Sequence, residues 1–289
     1  MRHASRSQSF IIITLCYIVT AVIGICVFQI LQTPHWFTLL IADLAATVFI
    51  WITSQLLQNA SVYDPYWSVQ PPIILALVYL FLGKQEPGSI LLVLLIAFWG
   101  ARLSINWMGS FTGLHKQDWR YDQLQEQSGR FFPLVNLFGI QVMPTLIVYT
   151  CLLPGFYYIL FGGGMNVGVV FGLVIILGGA MLELVADYQM QVFRKQSPDR
   201  SQLIRTGIWR HSRHPNYLGE ITVWWGVYLV MLSAYPELWY LGVGALANTC
   251  LFLFISIPMA EKRLATYKQN YDSYRQETRM LLPLPKHKK

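Results

Sequence analysis

Eight stretches of this chain carry almost nothing but apolar side chains, separated by shorter polar segments. They run over 10–31, 36–57, 69–82, 89–108, 134–160, 167–190, 217–234 and 238–259. A helix of about 20 apolar residues crosses a hydrocarbon core, so most of these windows predict membrane-spanning helices. The third window is short and opens on Pro71 and Pro72, which fits either a separate crossing or one broken helix with the residues before it. The fifth is interrupted by Pro144, Pro154 and Gly155. The expected fold class is all-α: a polytopic membrane helix bundle of seven or eight transmembrane helices, forming one membrane domain over 1–289 with a polar tail over 260–289. Gly164, Gly168 and Gly172 recur at steps of four, the spacing that lets membrane helices approach closely.

Composition agrees with the pattern. Apolar residues make up 55% of the 289 positions and charged residues 12%, an imbalance rare in a water-soluble domain. Of 21 Lys and Arg, two precede the first window, three lie in 109–133, six in 191–216 and eight after 259. With eight crossings these regions fall on one side, which the positive-inside rule makes the cytosol, and both termini are expected there. The net charge of +7 is accounted for by topology and anionic lipid, with no nucleic-acid surface implied. The first window exceeds a signal-peptide core and lacks a small-residue cleavage site, so it is expected to stay as an anchor. Cys16, Cys26, Cys151 and Cys250 all sit in apolar segments, without disulfide or zinc spacing.

Ionisable side chains inside such segments cost a few kcal/mol and invite a functional reading. In "LELVADYQMQVFRK", Glu183, Asp187 and Arg194 share one helical face; the alternative is an ion-pair ladder at the membrane edge. In "GIWRHSRHPNYLGE", His214 precedes Pro215, so a helix is expected to begin near Asn216, its free amides beside Arg210 and Arg213. Oriented amides with guanidinium forks suit phosphate; a helix cap is the alternative, and a metal pair from His211 and His214 lacks a third ligand. In "SVYDPYWSVQPP", Asp64 lies between Tyr63 and Tyr66. Desolvation there would keep a carboxyl protonated and able to donate to a substrate carbonyl, whereas Asp-Pro is also ordinary turn chemistry. The loop that follows Arg102 mixes aromatic and charged residues as interfacial loops do. After 259, Tyr267, Tyr271 and Tyr274 fall on one face of an expected amphipathic helix.

"GIWRHSRHPNYLGE" followed by "WWG", the upstream "ELVADYQMQVFR" and the downstream "YDSYRQETRMLLPLP" resemble the C-terminal domain of steroid 5-alpha-reductases. That domain belongs to a membrane superfamily with sterol reductases and isoprenylcysteine carboxyl methyltransferases, and the order of motifs is most like an uncharacterised bacterial-type branch. The resemblance is best over roughly the last 110 residues and is taken to run over 110–289. It implies NADPH as cofactor, held by Glu183, Asp187 and Arg194, with Asn216 and Glu220 in contact and Tyr267 and Arg279 closing from the tail. The family's usual residue at the position of Glu183 is asparagine. Arg210, Arg213, His214 and Tyr217 complete the expected cofactor-binding set, and no metal is expected. Asp64 looks like the counterpart of the family's catalytic acid, whereas Trp99 stands where its catalytic tyrosine would be, leaving Tyr63 or Tyr66 to substitute.

The resemblance thus implies an NADPH-dependent reductase of a lipid-soluble enone or other activated double bond, in the steroid, sterol or prenoid class. Its partners would be a small lipophilic substrate and membrane lipid, and its place a bacterial inner membrane rather than the endoplasmic reticulum. An S-adenosylmethionine-dependent membrane methyltransferase would share the "RHPNY" element without needing the Glu183, Asp187 and Arg194 face. A non-catalytic lipid-binding protein would need none of these groups.

Overall fold

The computed structural model describes residues 4–31, 33–197 and 199–283. Among them are nine helices and no strand: α1 (Arg6–Ile30), α2 (His35–Leu57), α3 (Tyr66–Phe81), α4 (Pro87–Ser110), α5 (Trp119–Phe161), α6 (Val167–Gln196), α7 (Pro215–Ala234), α8 (Pro236–Tyr267) and α9 (Tyr271–Glu277). All but α3 and α9 are long and apolar enough to cross a membrane, which makes the chain an integral multi-pass membrane protein with seven such helices. The last six residues of the expected tail lie outside the described residues.

Local chemistry sets the helix ends. Ser5 and Gln8 form a reciprocal capping box at the start of α1, Asn166 caps α6 through the Val169 amide, and Gln58 ends α2 in a left-handed conformation at φ 50°. The third apolar window becomes α3, whose 16 residues rise about 24 Å, short of a hydrocarbon core of about 30 Å. It starts before its prolines and runs through both. Pro72 has no N–H for the Ser68 carbonyl, and Gly100 lies against that oxygen so closely that a β-carbon there would sit 2.4 Å away. The interrupted fifth window is continuous helix instead, extended on its polar side to Trp119 and accommodating a π-helical stretch at Asn136–Val142.

Two compact units divide the chain. The first comprises Met1–Ile74 and Gly100–Tyr149, the second Leu75–Trp99 and Thr150–Lys289. In the first, α1 packs on α2 over a core of Ile13, Ala46, Ile50, Val62, Tyr63 and Tyr66. In the second, α6 and α7 form the most extensive helix pair, and glycines set their separation. A β-carbon on Gly179 would stand 2.8 Å from the Gly219 carbonyl, and one on Gly226 would stand 2.9 Å from the Ile176 amide. Of the glycines singled out by their spacing, Gly168 and Gly172 do meet α7, at Ser233 and Val230, while Gly164 faces open space.

The tail departs from a single amphipathic helix. α8 ends at Tyr267, Asn270 turns the chain at φ 54°, and α9 begins at Tyr271. The break is held from outside, because the Gln269 amide donates to the Ser201 carbonyl at 2.9 Å and the Lys268 ammonium donates to Gln202. Tyr267 is left exposed while Tyr271 and Tyr274 are buried.

Candidate functional site

In the second unit, α6 carries the acidic face anticipated from the sequence, with a gradient of burial along it. Glu183 is buried, Asp187 half-buried and Arg194 exposed. Glu183 lies over Gly219 of α7, whose missing side chain leaves room for it: a β-carbon there would be 2.3 Å from Glu183 Cγ. The turn Gly207–Arg210 is fastened to the same helix. The Ile208 amide donates to Gln189 Oε1 at 3.0 Å, and the Trp209 indole donates to the Ala186 carbonyl at 3.1 Å. Helix α7 then starts at Pro215, with His214 outside the helical region, as the His-Pro pair requires.

A cavity of about 360 Å³ opens at this junction, lined by Leu182 of α6, Ile208, His211 and Ser212 of the turn, Pro215 and Leu218 of α7, and Pro283 of the tail. Its size is at the low end of small-molecule sites, which run from about 300 to 1,000 Å³. Arg210 and His211 are exposed beside it, and among the described residues neither side chain has a hydrogen bond or ion pair. Asn216 is half-buried in the first turn of α7, where amides lack intrahelical acceptors. The lining itself is mostly apolar, with His211 and Ser212 as its polar side chains; Glu183, Asp187, Arg210 and Asn216 belong to the same elements but not to the cavity wall.

Arg213 and His214 are directed elsewhere. Both are buried, and both meet Glu261 of α8: Arg213 Nε at 2.8 Å and His214 Nε2 at 3.2 Å from Oε1. Arg213 Nη2 also stands 2.8 Å from Glu261 Oε1, Nη1 donates to the carbonyls of Arg275 and Thr278, and the backbone amide donates to the Arg279 carbonyl. The Tyr274 hydroxyl adds a bond to the Trp209 carbonyl at 2.7 Å, and Ser212 and Arg279 form an isolated parallel bridge. These groups strap the tail across the turn, which places Arg279 beside the site through its backbone while Tyr267 stands outside the strap. Tyr217 stacks on the His214 ring, 5.3 Å between centroids, and packs against Phe252. Glu261 was not singled out from the sequence, since it sits in "AEKRL", a run that reads as solvated surface.

Glu220 is also committed. It is buried, and each carboxylate oxygen accepts an indole N–H: Oε2 from Trp99 at 2.9 Å and Oε1 from Trp224 at 2.8 Å. Trp99, expected from the resemblance to stand in place of a catalytic tyrosine, is fully buried as a partner of this carboxylate.

The first unit separates Asp64 from the tyrosines expected to assist it. Asp64 is half-buried at the turn before α3 and accepts the Tyr121 hydroxyl at 2.7 Å. Burial pushes its carboxyl up from the ordinary value to about 6, against the Tyr121 hydrogen bond and the Arg120 charge, which pull it down. Neighbouring bonds strap the same turn to the loop before α5: the Asn59 amide donates to the Leu114 and Lys116 carbonyls, the Ala60 amide to Gln117, and the Asp118 amide to Ser61.

The Tyr66 hydroxyl instead donates to Asp43 Oδ1 at 2.7 Å, and Gln70 donates to Oδ2 at 3.0 Å. Tyr63 pairs with Thr145 at 2.9 Å, and Thr145 with Thr47 at 3.1 Å. Asp43, 4% exposed in the middle of α2, is thus the acid at the centre of a buried polar network. Sequence reasoning passed over it, although it is the one charged residue in the window 36–57.

Comparison with known proteins adds a family. Over 207 residues the chain is 26% identical to an uncharacterized protein of Schizosaccharomyces pombe (strain 972 / ATCC 24843), covering 62% of this chain and 60% of that relative. No solved structure is matched. The family described as "Protein of unknown function (DUF1295)" matches residues 50–279, a span that takes in the Asp64 turn, the α6 face, the start of α7 and the tail strap. The chain belongs to this family, a member of the steroid 5-alpha-reductase-like superfamily.

Proposed function

We propose that this protein is an NADPH-dependent reductase of a lipid-soluble enone or other activated double bond, of the steroid, sterol or prenoid class. The observation that carries the reading is the fastening of the Gly207–Arg210 turn, with its exposed Arg210, to α6, the helix that carries Glu183 and Asp187, through the Ile208–Gln189 and Trp209–Ala186 hydrogen bonds. Arg210, with Arg194 farther along α6, would neutralise phosphate charge, assisted by the first-turn amides of α7. Asp187 and Asn216 would accept and donate to ribose or amide groups, and Glu183 would fix the inner end. Arg213, His214 and Glu220 serve as the frame, because their polar atoms are taken up by Glu261, the tail and the two indoles. NADPH supplies a hydride when bound.

Reduction of an enone also needs a hydrogen-bond donor at the carbonyl and a proton. Tyr66 with Asp43 is the pair best built for this, and Asp64 is the alternative acid. With a proton on Asp43, the direction of the 2.7 Å bond reverses: the carboxyl donates to the Tyr66 oxygen and the phenolic hydrogen is free for a substrate oxygen. A preorganised donor of this kind is worth about 3–4 kcal/mol of barrier. By this reading the basic segment before α7 and the tail after α8, which two spans place on one side, face the cytosol at a bacterial inner membrane, where a soluble dinucleotide meets a membrane-dissolved substrate.

The test is calorimetric binding of NADPH, NADH and S-adenosylmethionine to detergent-purified protein and its Asp187→Ala variant. Selective NADPH binding, weakened by more than about tenfold in the variant, supports the reductase. Binding of S-adenosylmethionine that tolerates the substitution moves the protein to the methyltransferase reading, and binding of neither moves it to a lipid-binding role.

A further inference from the structure

A second cavity, of about 700 Å³, lies wholly within the first unit, at the end of α2, along the loop before α5 and on the first turns of α5. We propose that it is a headgroup site for an anionic phospholipid. The argument begins with depth. Helix α2 ends at Leu57, and the apolar part of α5 begins just after Gly129, so the cavity sits where spans end and headgroups begin.

Charge comes next. Lys116, Arg130 and His115 line the cavity together with a single acid, Asp122, so with His neutral the cations exceed the acids by one. That excess matches a phosphodiester monoanion, and basic pockets beside membrane helices bind such groups. The cations are also available. Among the described residues Lys116 and His115 have no side-chain hydrogen bond or ion pair, and the one contact of Arg130 is with the Phe131 ring, at 4.9 Å. The Asp122 carboxylate is already an acceptor for Gln117 at 3.1 Å, and Gln125 beside it accepts from the same amide, leaving its own N–H groups for a ligand. Deeper in, Asn136 and Ser54 form a polar floor in which Gln141 Oε1 is buried without a partner.

The edges of the cavity are apolar. Leu57 and Phe132 line it, and next to them Leu56, Phe131 and Leu134 are 74%, 55% and 54% exposed. A free anion gains nothing from such a rim, whereas a lipid lays its acyl chains along it while the phosphate meets Lys116 and Arg130. The assignment is independent of the reductase reading, whose residues in the second unit and at Asp43, Tyr66 and Asp64 do not line this cavity.

The test uses delipidated protein in neutral detergent, the K116Q/R130Q variant, and K262Q/R200Q as a control that removes two exposed charges elsewhere. Binding is read by native mass spectrometry and by the shift in thermal unfolding with phosphatidylglycerol, phosphatidylcholine or inorganic phosphate. The expected result is phosphatidylglycerol retained about tenfold more tightly than phosphatidylcholine, with the preference lost in K116Q/R130Q and kept in the control. Equal retention of both lipids, or a preference that survives in K116Q/R130Q, overturns the proposal. Displacement of the lipid by millimolar inorganic phosphate would assign the site to the free anion and overturn it as well. The cavity side chains replaced carry no structural hydrogen bonds, so the variants are expected to unfold at the wild-type temperature when free of lipid, which separates loss of binding from loss of fold.

Discussion

The Trp99 indole and the Glu220 carboxylate meet at 2.9 Å in the core of the second unit, and Trp224 holds the other oxygen. A buried carboxylate is tolerated because two N–H donors replace water. Trp99→Phe keeps most of the ring volume but removes one donor, at an expected cost of about 1.5–3 kcal/mol. Trp224→Phe should cost a similar amount, and the double variant is expected to depart from the sum of the two, since both indoles serve one carboxylate. Thermal unfolding of the four proteins in one detergent checks this; strict additivity would mean that the carboxylate does not couple the two rings.

The strap across the site depends on Glu261. Arg213 is buried among tail carbonyls that accept its hydrogen bonds without neutralising its charge, and Glu261 is the anion that does so at 2.8 Å. Glu261→Ala should therefore cost about 3–5 kcal/mol, the usual effect of stranding a buried charge. The loss should be local at first. Hydrogen exchange is expected to accelerate over 271–280 and 207–214 before it does in α1, and uniform acceleration would contradict a tail held by this pair.

Asp64 gives a pH signature. Its carboxyl titrates at about 6 in the folded protein against 3.8 ordinarily, so between those values the folded state holds a proton that the unfolded chain has released. Its contribution to stability must then fall as pH rises through that window. Asp64→Asn removes the titration while leaving Tyr121 an oxygen to donate to, so the variant should show a flatter dependence of melting temperature between pH 4 and 6. Identical slopes for the two proteins would refute the assignment.

These residues also mark how far sequence alone reaches. The long apolar windows are legible because a span must hide its backbone within one helix, and the ends of α2, α6 and α7 follow the apolar pattern and the His-Pro pair closely. α3 is less legible, because a 16-residue apolar run is compatible with a short buried helix or a crossing. The tail break at 268–270 is decided by Ser201 and Gln202, which are distant in sequence. Asp43 was hidden for a different reason: one acid barely lowers the mean hydropathy of a 23-residue helix, yet Asp43, Thr47 and Ser54 already fall on one face of α2, and that stripe was the available signal. Glu261 offered no comparable signal, since only the fold turns it inward.

Glycines set the separation of α6 from α7, and two of them, Gly219 of α7 and Gly178 of α6, isolate that effect. A β-carbon on Gly219 would lie 2.3 Å from Glu183 Cγ and 2.7 Å from the Gly179 carbonyl, and the backbone atom cannot yield without moving a helix. Gly219→Ala is expected to destabilise the protein by about 1–3 kcal/mol, the range for overpacking, and to weaken NADPH binding because Glu183 and the first turn of α7 shift together. Gly178, beside Gly179 on α6, has nothing within 4 Å of its added β-carbon. Gly178→Ala should gain about 0.5–1 kcal/mol from reduced backbone entropy in the unfolded chain and leave binding unchanged. Thermal unfolding and calorimetry on the pair distinguish the two cases: if both substitutions behave alike, close helix approach is not what shapes the proposed cofactor site, whereas opposite signs tie that site to the absence of one methyl group on Gly219.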